Sequence, residues 1–311
     1  MNYREKVIVI AGPTASGKTA LGIALARRLG GEIVSADSMQ VYRRMDIGTA
    51  KASAEERSAV PHHMLDVAEP SESYSVARYV EDASRCCDGI LSRGAVPLVV
   101  GGTGLYIDSL LSGRSFSECG DPSLRSELEA RYDTIGGEAM LEELRSFDPE
   151  RAAKLCPNDR RRIVRAMEIY RLTGMTITAH DEMTRAIPPR YEALRIVLGY
   201  RRREDLYNRI NSRVDAMAAS GLFDEVSSLL SDGISGNCTA MQAIGYKEAV
   251  SFLRGETSRE EALEAIKLGS RRYAKRQLTW FGRWEDALRI EWPDSPDIPY
   301  ALSFLEEKGV I

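Results

Sequence analysis

Cysteine is scarce in this chain: five residues in 311, an odd number, with no C-x-x-C pair among Cys86, Cys87, Cys119, Cys156 and Cys238. That excludes a disulfide-stapled secreted scaffold and points to a reduced, cytoplasmic protein. Histidine is scarcer still, and the spacing of His62, His63 and His180 gives no zinc site. No apolar run approaches the roughly 20 residues that cross a bilayer, and the first residues lack the apolar segment of a secretory leader. No membrane partner is therefore expected. A formal net charge of −4 excludes a protein that is basic all over, so any contact with nucleic acid must come from local patches. Internal repeats and low-complexity segments are absent as well. What is left, 43% hydrophobic and 28% charged residues, is the make-up of a globular chain with one large domain or two smaller ones.

Against this ordinary background one stretch is specific. Gly12-Pro13-Thr14-Ala15-Ser16-Gly17-Lys18-Thr19 fits G-x-x-x-x-G-K-[ST], the phosphate-binding loop. The apolar run Val7–Ile10 precedes it and an Ala/Leu-rich stretch from Ala20 to Leu29 follows, which is the strand–loop–helix context that the motif requires. The glycines let the backbone wrap an oxyanion with its N–H groups and the helix N-terminus. Lys18 adds a point charge, and the Thr19 hydroxyl is suited to ligate Mg²⁺. A group with two or more linked phosphates is expected here, although the loop alone does not specify ATP.

Glu32 to Asp37 reads as a short buried strand ending in a carboxylate. Ligands in an open parallel sheet gather at the carboxyl ends of the strands, which would bring Asp37 to the phosphate loop; a turn or cap aspartate is the other reading. Val96 to Val100 reads as a further strand, running into Gly101-Gly102-Thr103-Gly104. An NTPase strand at this point usually ends in an aspartate that helps to hold Mg²⁺. Here glycines stand instead, read as backbone that comes close to a ligand, with Thr103 as the lone polar group. Between Cys119 and Tyr191 the pattern becomes helical, with Asp121-Pro122 and Asp148-Pro149 as cap-and-proline starts and Gly174 as a stop. A sheet strand returns at Leu194–Gly199, and a long helix spans Arg203 to Ala219. Helices continue to about Trp284, before a possible short strand at Leu288–Ile290. The expected fold is α/β: a parallel sheet flanked by helices, like that of phosphate-loop NTPases, in two parts (1–118 and 192–311) around an all-helical insertion (119–191).

Three basic clusters interrupt the acidic background. The first, Arg160-Arg161-Arg162 with Arg165, lies in the insertion, where spacings of three and four put Arg161, Arg162 and Arg165 toward one helix face. The second is Arg209 with Arg213. The third runs from Ser270 to Trp284, with five positive charges, no acid and four aromatics. Any one of them alone reads as a solvated helix face, and Trp280 and Trp284 read as core anchors. Together they suit a polyanion such as RNA, held mainly through its phosphates.

With these residues assembled, the chain resembles the tRNA dimethylallyltransferase (tRNA isopentenyltransferase) family over nearly its whole length. The blocks that carry the resemblance are GPTASGKT (Gly12–Thr19), SADSMQVYRRMDIGTAK (Ser35–Lys51), PHHMLD (Pro61–Asp66) and PSESYS (Pro70–Ser75). VVGGTGLY (Val99–Tyr106), the arginine helix of Pro157–Glu168, MQAIGYKE (Met241–Glu248) and AKRQLTWF (Ala274–Phe281) complete them. Arg44, Arg161 and Gly282 depart from the pattern, which has glycine, glutamine and arginine there. The resemblance implies a monomer that transfers a dimethylallyl group from its diphosphate to the adenosine just 3′ of a tRNA anticodon. Asp37, Thr103 and Arg213 are then the catalytic residues, and Gly12 to Thr19 hold the diphosphate with Mg²⁺ on Thr19. By the same resemblance Asp37, Ser38, Met39, Gln40 and Thr103 line the adenosine pocket. Arg125, Arg161, Arg162, Ile163, Val164 and Arg165 grip the anticodon stem-loop, joined by Arg271, Lys275, Arg276 and Gln277. A small-molecule or nucleotide kinase, an NTP-switched RNA-binding module, and an enzyme prenylating free adenine nucleotides are the alternatives.

Overall fold

A computed structural model of the protein describes residues 6–113, 120–185 and 187–311. It divides into two compact units, one formed by Met1–Leu111 with Tyr191–Ile311 and the other by Ser112–Arg190. Cys119, the expected start of the insertion, lies outside the described residues.

The first unit opens with β1 (Lys6–Ala11) and α1 (Lys18–Leu29), then β2 (Gly31–Ser35), α2 (Ala54–Ala59), β3 (His62–His63), α3 (Val76–Ser92), β4 (Val96–Gly101) and α4 (Gly104–Leu111). In the second unit follow α5 (Pro122–Phe147), α6 (Pro149–Ala152), α7 (Arg160–Thr173) and α8 (Ile177–Arg185). The first unit resumes with β5 (Glu192–Tyr200), α9 (Arg203–Ala219), α10 (Leu222–Ser231), α11 (Tyr246–Leu253), α12 (Arg259–Phe281), β6 (Leu288–Trp292) and α13 (Ile298–Glu307).

The six strands form one sheet in the order β3-β2-β4-β1-β5-β6, and every pairing is parallel. A parallel sheet is covered on both faces, so its strands read as unbroken apolar runs. Accordingly Val7 to Ala11 are all fully buried. On one face Ile8, Ile10, Leu98, Ile196 and Leu198 pack against Leu21 and Leu25 of α1 and Ala301 and Leu305 of α13. The carboxyl ends of β2, β4 and β1 stand side by side, with Ser35 paired to Val100 and Ala11 to Gly101. The chain leaves these three ends as the loops bearing Asp37, Thr103 and the phosphate-loop motif. The strand β2 closes at Ser35, two residues before Asp37.

The helical unit starts where its sequence marks it. Asp121 accepts hydrogen bonds from the Ser123 and Leu124 N–H groups, and Asp148 accepts from the Arg151 N–H, each followed by proline in the first turn. Asp148 also accepts from the Thr178 N–H and hydroxyl, which ties α8 to the start of α6. Gly174 ends α7 in the left-handed conformation. The core of this unit is Leu128, Met140, Leu144, Ile163 and Met167. Among the described residues no helix is long and apolar enough to cross a membrane.

Candidate active site

The phosphate loop is shaped by contacts to its carbonyl groups. Lys18 Nζ donates to Pro13 O (2.7 Å), the Tyr200 hydroxyl to Ala15 O (3.0 Å) and Trp292 Nε1 to Ser16 O (2.9 Å). Ala15 sits at φ 65° and Gly17 at φ 82°, so the chain reverses its peptide planes here and can turn successive N–H groups inward. Burial, with the Arg213 charge beside it, pushes the Lys18 ammonium down to about 7, and the Asp37 carboxylate opposes that shift. Burial likewise lowers Arg213, again against Asp37. Two basic side chains and one carboxylate thus share a poorly hydrated space at the start of α1.

Asp37 and Thr103 come together from adjacent strand ends. The Asp37 Oδ1 accepts from the Met39 N–H at 2.9 Å and the Gln40 N–H at 3.4 Å, an Asx turn that fixes the carboxylate. The turn reading and the strand-end reading of Asp37 therefore both hold. The Thr103 Oγ1 accepts from the Ser38 N–H (3.0 Å) and lies 3.4 Å from the Ser38 hydroxyl, while the Thr103 N–H donates to Ala36 O (3.1 Å). Gln40 is braced at both ends, its Oε1 accepting from the Ser35 hydroxyl and its Nε2 donating to Thr49 O. Its amide shapes the loop and is not turned outward. Met39 and Ser38 are half-buried beside it.

One helix organises the other wall. Tyr273, Gln277, Trp280 and Trp284 recur at helical spacing along α12 and its end, and all of them turn inward. Trp280 Nε1 donates to Asp108 Oδ2 (2.8 Å) and Trp284 Nε1 to Asp108 Oδ1 (3.0 Å), which locks α12 to α4. Burial raises the Asp108 carboxyl above its ordinary value, and the two indole donors oppose it. Gln277 is only 5% exposed. Expected among the tRNA contacts, it is engaged within the protein at both ends: Oε1 accepts from the Thr14 N–H (2.8 Å) and Nε2 donates to Gly102 O (2.9 Å). The glycine-rich turn is closely packed as well. A Cβ on Gly102 would stand 2.2 Å from Gln277 Nε2, and one on Gly104 would stand 2.3 Å from the Trp280 ring. Gly102 and Gly104 thus make room for α12, and Gly101 for the Ala36 backbone. Tyr273 was legible only as an aromatic. Its hydroxyl lies 3.5 Å from Gly102 O, and burial together with the Asp37 charge pushes it up to about 12.

The basic clusters divide by exposure. On α12, Arg272, Lys275 and Arg276 face solvent, whereas Arg271 donates to Asn211 Oδ1 of α9 (2.6 Å). On α7, Arg161 and Arg162 are exposed. Arg165 is held differently, donating to Glu168 Oε2 at 2.7 Å, and Arg125 of α5 reaches the same carboxylate at 3.0 Å. Glu168 is fully buried, and the Asp121 N–H also donates to it (3.2 Å). Burial opposes its ionisation, but Arg165 and Arg125 outweigh that and hold the carboxyl below its ordinary value. Ile163 and Val164 are corrected as RNA contacts: both side chains lie in the core of the helical unit.

Comparison with known proteins agrees in its several parts. The model of the IPP transferase family matches residues 40–284, and that of the isopentenyl transferase family matches residues 5–68. A tRNA dimethylallyltransferase of Bacillus licheniformis is 50% identical over 292 residues, 94% of this chain and 91% of its own. One from a Thermoanaerobacter species is 48% identical, covering 89% of this chain and 88% of its own. Among solved structures, a full-length tRNA isopentenylpyrophosphate transferase of Bacillus halodurans superposes with a TM-score of 0.70 at 42% identity, covering 98% of each chain. A eukaryotic dimethylallyltransferase acting on tRNA gives a TM-score of 0.75 at 29% identity, covering 98% of this chain and 85% of its own. With four-fifths of its length inside one family model and close to half of its residues shared with full-length relatives, the chain belongs to the IPP transferase family of tRNA dimethylallyltransferases.

Proposed function

We propose that this protein transfers a dimethylallyl group from dimethylallyl diphosphate to the exocyclic amino nitrogen of the adenosine 3′-adjacent to a tRNA anticodon, with release of diphosphate. The observation that carries the reading is the meeting of Asp37, Thr103, Lys18 and Arg213 with the phosphate loop at three neighbouring strand ends. The loop N–H groups, Lys18 and Arg213 hold the diphosphate and stabilise the charge that grows on it as the carbon–oxygen bond breaks. The amino nitrogen forms the new carbon–nitrogen bond and becomes acidic as it does so. Asp37 takes the proton it sheds, its carboxylate held in place by the Asx turn. Thr103 positions the Ser38 backbone beside it. An adenosine in a stacked anticodon loop has to be flipped out to reach this point.

Mg²⁺ fits the donor set. The Thr19 hydroxyl stands at the first turn of α1, next in sequence to Lys18, whose ammonium feels the Asp37 carboxylate, and Mg²⁺ characteristically takes one or two protein oxygens together with substrate phosphates and water. When bound, the ion neutralises charge on the leaving diphosphate. The RNA itself is held by Arg161 and Arg162 of the helical unit and by Arg272, Lys275 and Arg276 of α12. Arg125 and Arg165, both tied to Glu168, complete the basic surface of the helical unit.

The test is incubation of labelled dimethylallyl diphosphate with tRNA and, separately, with AMP, each with and without Mg²⁺. Label should enter tRNA only, with diphosphate released only when tRNA and Mg²⁺ are both present, and ATP should not be turned over. Stoichiometric ADP formation with no label in tRNA would establish a kinase instead, and label in AMP a nucleotide prenyltransferase.

A further inference from the structure

A single buried amide joins two loops that the reaction must keep in register. Gln277 spans from the first turn of the phosphate loop to the carbonyl group one residue before Thr103, with both contacts under 3 Å. Its orientation is forced, because a backbone N–H can only donate and a carbonyl can only accept. Gly102 accepts it at such close range that no Cβ fits. The helix carrying Gln277 is itself fixed to α4, the helix that begins beside Thr103, by the two indole bonds to Asp108. The amide also occupies the Thr14 N–H alone, so the N–H groups of Ala15 to Thr19 remain for an anion. Beyond the strand pairing that ends at Ala11 and Gly101, no other hydrogen bond joins the two loops among the described residues, although the Tyr273 hydroxyl reaches the same carbonyl at 3.5 Å.

We infer that Gln277 is a positioning residue of the transfer reaction, which sets the distance between the donor's diphosphate in the phosphate loop and the acceptor loop at Thr103. The inference rests on the transferase reading. Transfer needs the donor carbon and the amino nitrogen within about 3.5 Å and in line, and a misplacement of 1 Å costs about 10²-fold in rate. Loss of the amide lets the two loops drift while each still binds its own substrate.

Gln277→Met keeps the side-chain volume and removes both hydrogen bonds. At saturating donor and tRNA its single-turnover transfer rate should fall by about 10²-fold, while the tRNA Kd and the salt dependence of that Kd stay close to those of the unsubstituted enzyme. Gly102→Ala breaks the same bridge from the other side, and it answers the question if the first variant melts early. Combined, the two should be no slower than the slower single variant, since each removes the same tie. A saturated rate equal to that of the unsubstituted enzyme overturns the inference. So does a defect confined to tRNA affinity and its salt slope, which would return Gln277 to the RNA-contact role, and so do multiplicative rate losses. Absence of transfer by the unsubstituted enzyme would defeat the transferase reading itself and is scored separately.

Discussion

Taking an ammonium group out of water costs several kcal/mol even after the protein relaxes, so a buried lysine holds its proton weakly until an anion arrives. Lys18, with a value brought down to about 7 by burial and by Arg213, is in that position. A bound diphosphate sets negative charge beside Nζ and raises the value again. Above pH 7 donor binding must therefore take up a proton, and donor affinity should fall as pH rises through 7, by up to about tenfold per pH unit. Calorimetry of donor binding at pH 8 in two buffers of different ionisation enthalpy reads the uptake directly. Lys18→Met should abolish it, and equal enthalpies for the unsubstituted protein would mean that Lys18 is charged before the donor arrives. Arg44 makes a second case at this scale. It stands where the family pattern has glycine, and its φ of 62° shows why glycine suits the position. The ion pair to Asp232 (2.6 Å) compensates only as an exposed pair can. Since Arg44→Gly and Arg44→Ala both lose that pair, their difference isolates the backbone. Arg44→Gly should be the more stable by about 1 kcal/mol in urea unfolding; equal midpoints would show that the loop relaxes around an alanine.

At the scale of elements, what could be read from the sequence was what is encoded locally. Asp121-Pro122 and Asp148-Pro149 announce their helices because a cap and a fixed φ act over three residues. The phosphate loop and its flanking strand and helix are legible for the same reason. The strand β3 is only two residues long, His62 and His63, too short to carry an alternation. Gln277 shows the other limit. Its two partners are 263 and 175 residues away in the chain, and no local pattern distinguishes a bridging amide from an exposed one. Glu168 is a similar case: nothing in the arginine-rich helix signals that two guanidinium groups are tied to one buried carboxylate. That tie gives α5 and α7 a prediction of their own. Glu168→Gln keeps the shape but turns charge-assisted bonds into ordinary ones, which should cost the helical unit about 2 kcal/mol near neutral pH. The native carboxyl lies below its unfolded value of 4.5, so its contribution is present above pH 4.5 and is lost as pH falls through the folded value. The variant should lack that part of the acid sensitivity. Identical acid unfolding curves would show that the node is energetically idle.

For the whole molecule the governing fact is that a chain of net charge −4 is proposed to hold a polyanion. Mean-field attraction cannot do this, so affinity must come from the few cations that are exposed and not already neutralised. Burial sorts them: Arg161 in the helical unit and Arg276 on α12 face solvent, whereas Arg165 and Arg125 share the charge of Glu168. Each phosphate contact that is lost should flatten the log–log salt dependence of tRNA binding by about 0.7 to 0.9. Arg161→Ala and Arg276→Ala should each do so without loss of thermal stability, because neither side chain is packed in a core. If one tRNA engages both clusters at once, the double variant should flatten the slope by about 1.4 to 1.8, the sum of the two. Arg165→Ala should behave otherwise: it leaves a buried carboxylate with one fewer donor, so melting temperature and tRNA affinity should fall together. Filter binding of tRNA across a salt series, paired with thermal melts of the same four variants, separates these outcomes. A slope unchanged by Arg161→Ala would make α7 a merely solvated face, and a double variant no flatter than either single would mean that only one of the two clusters meets the RNA.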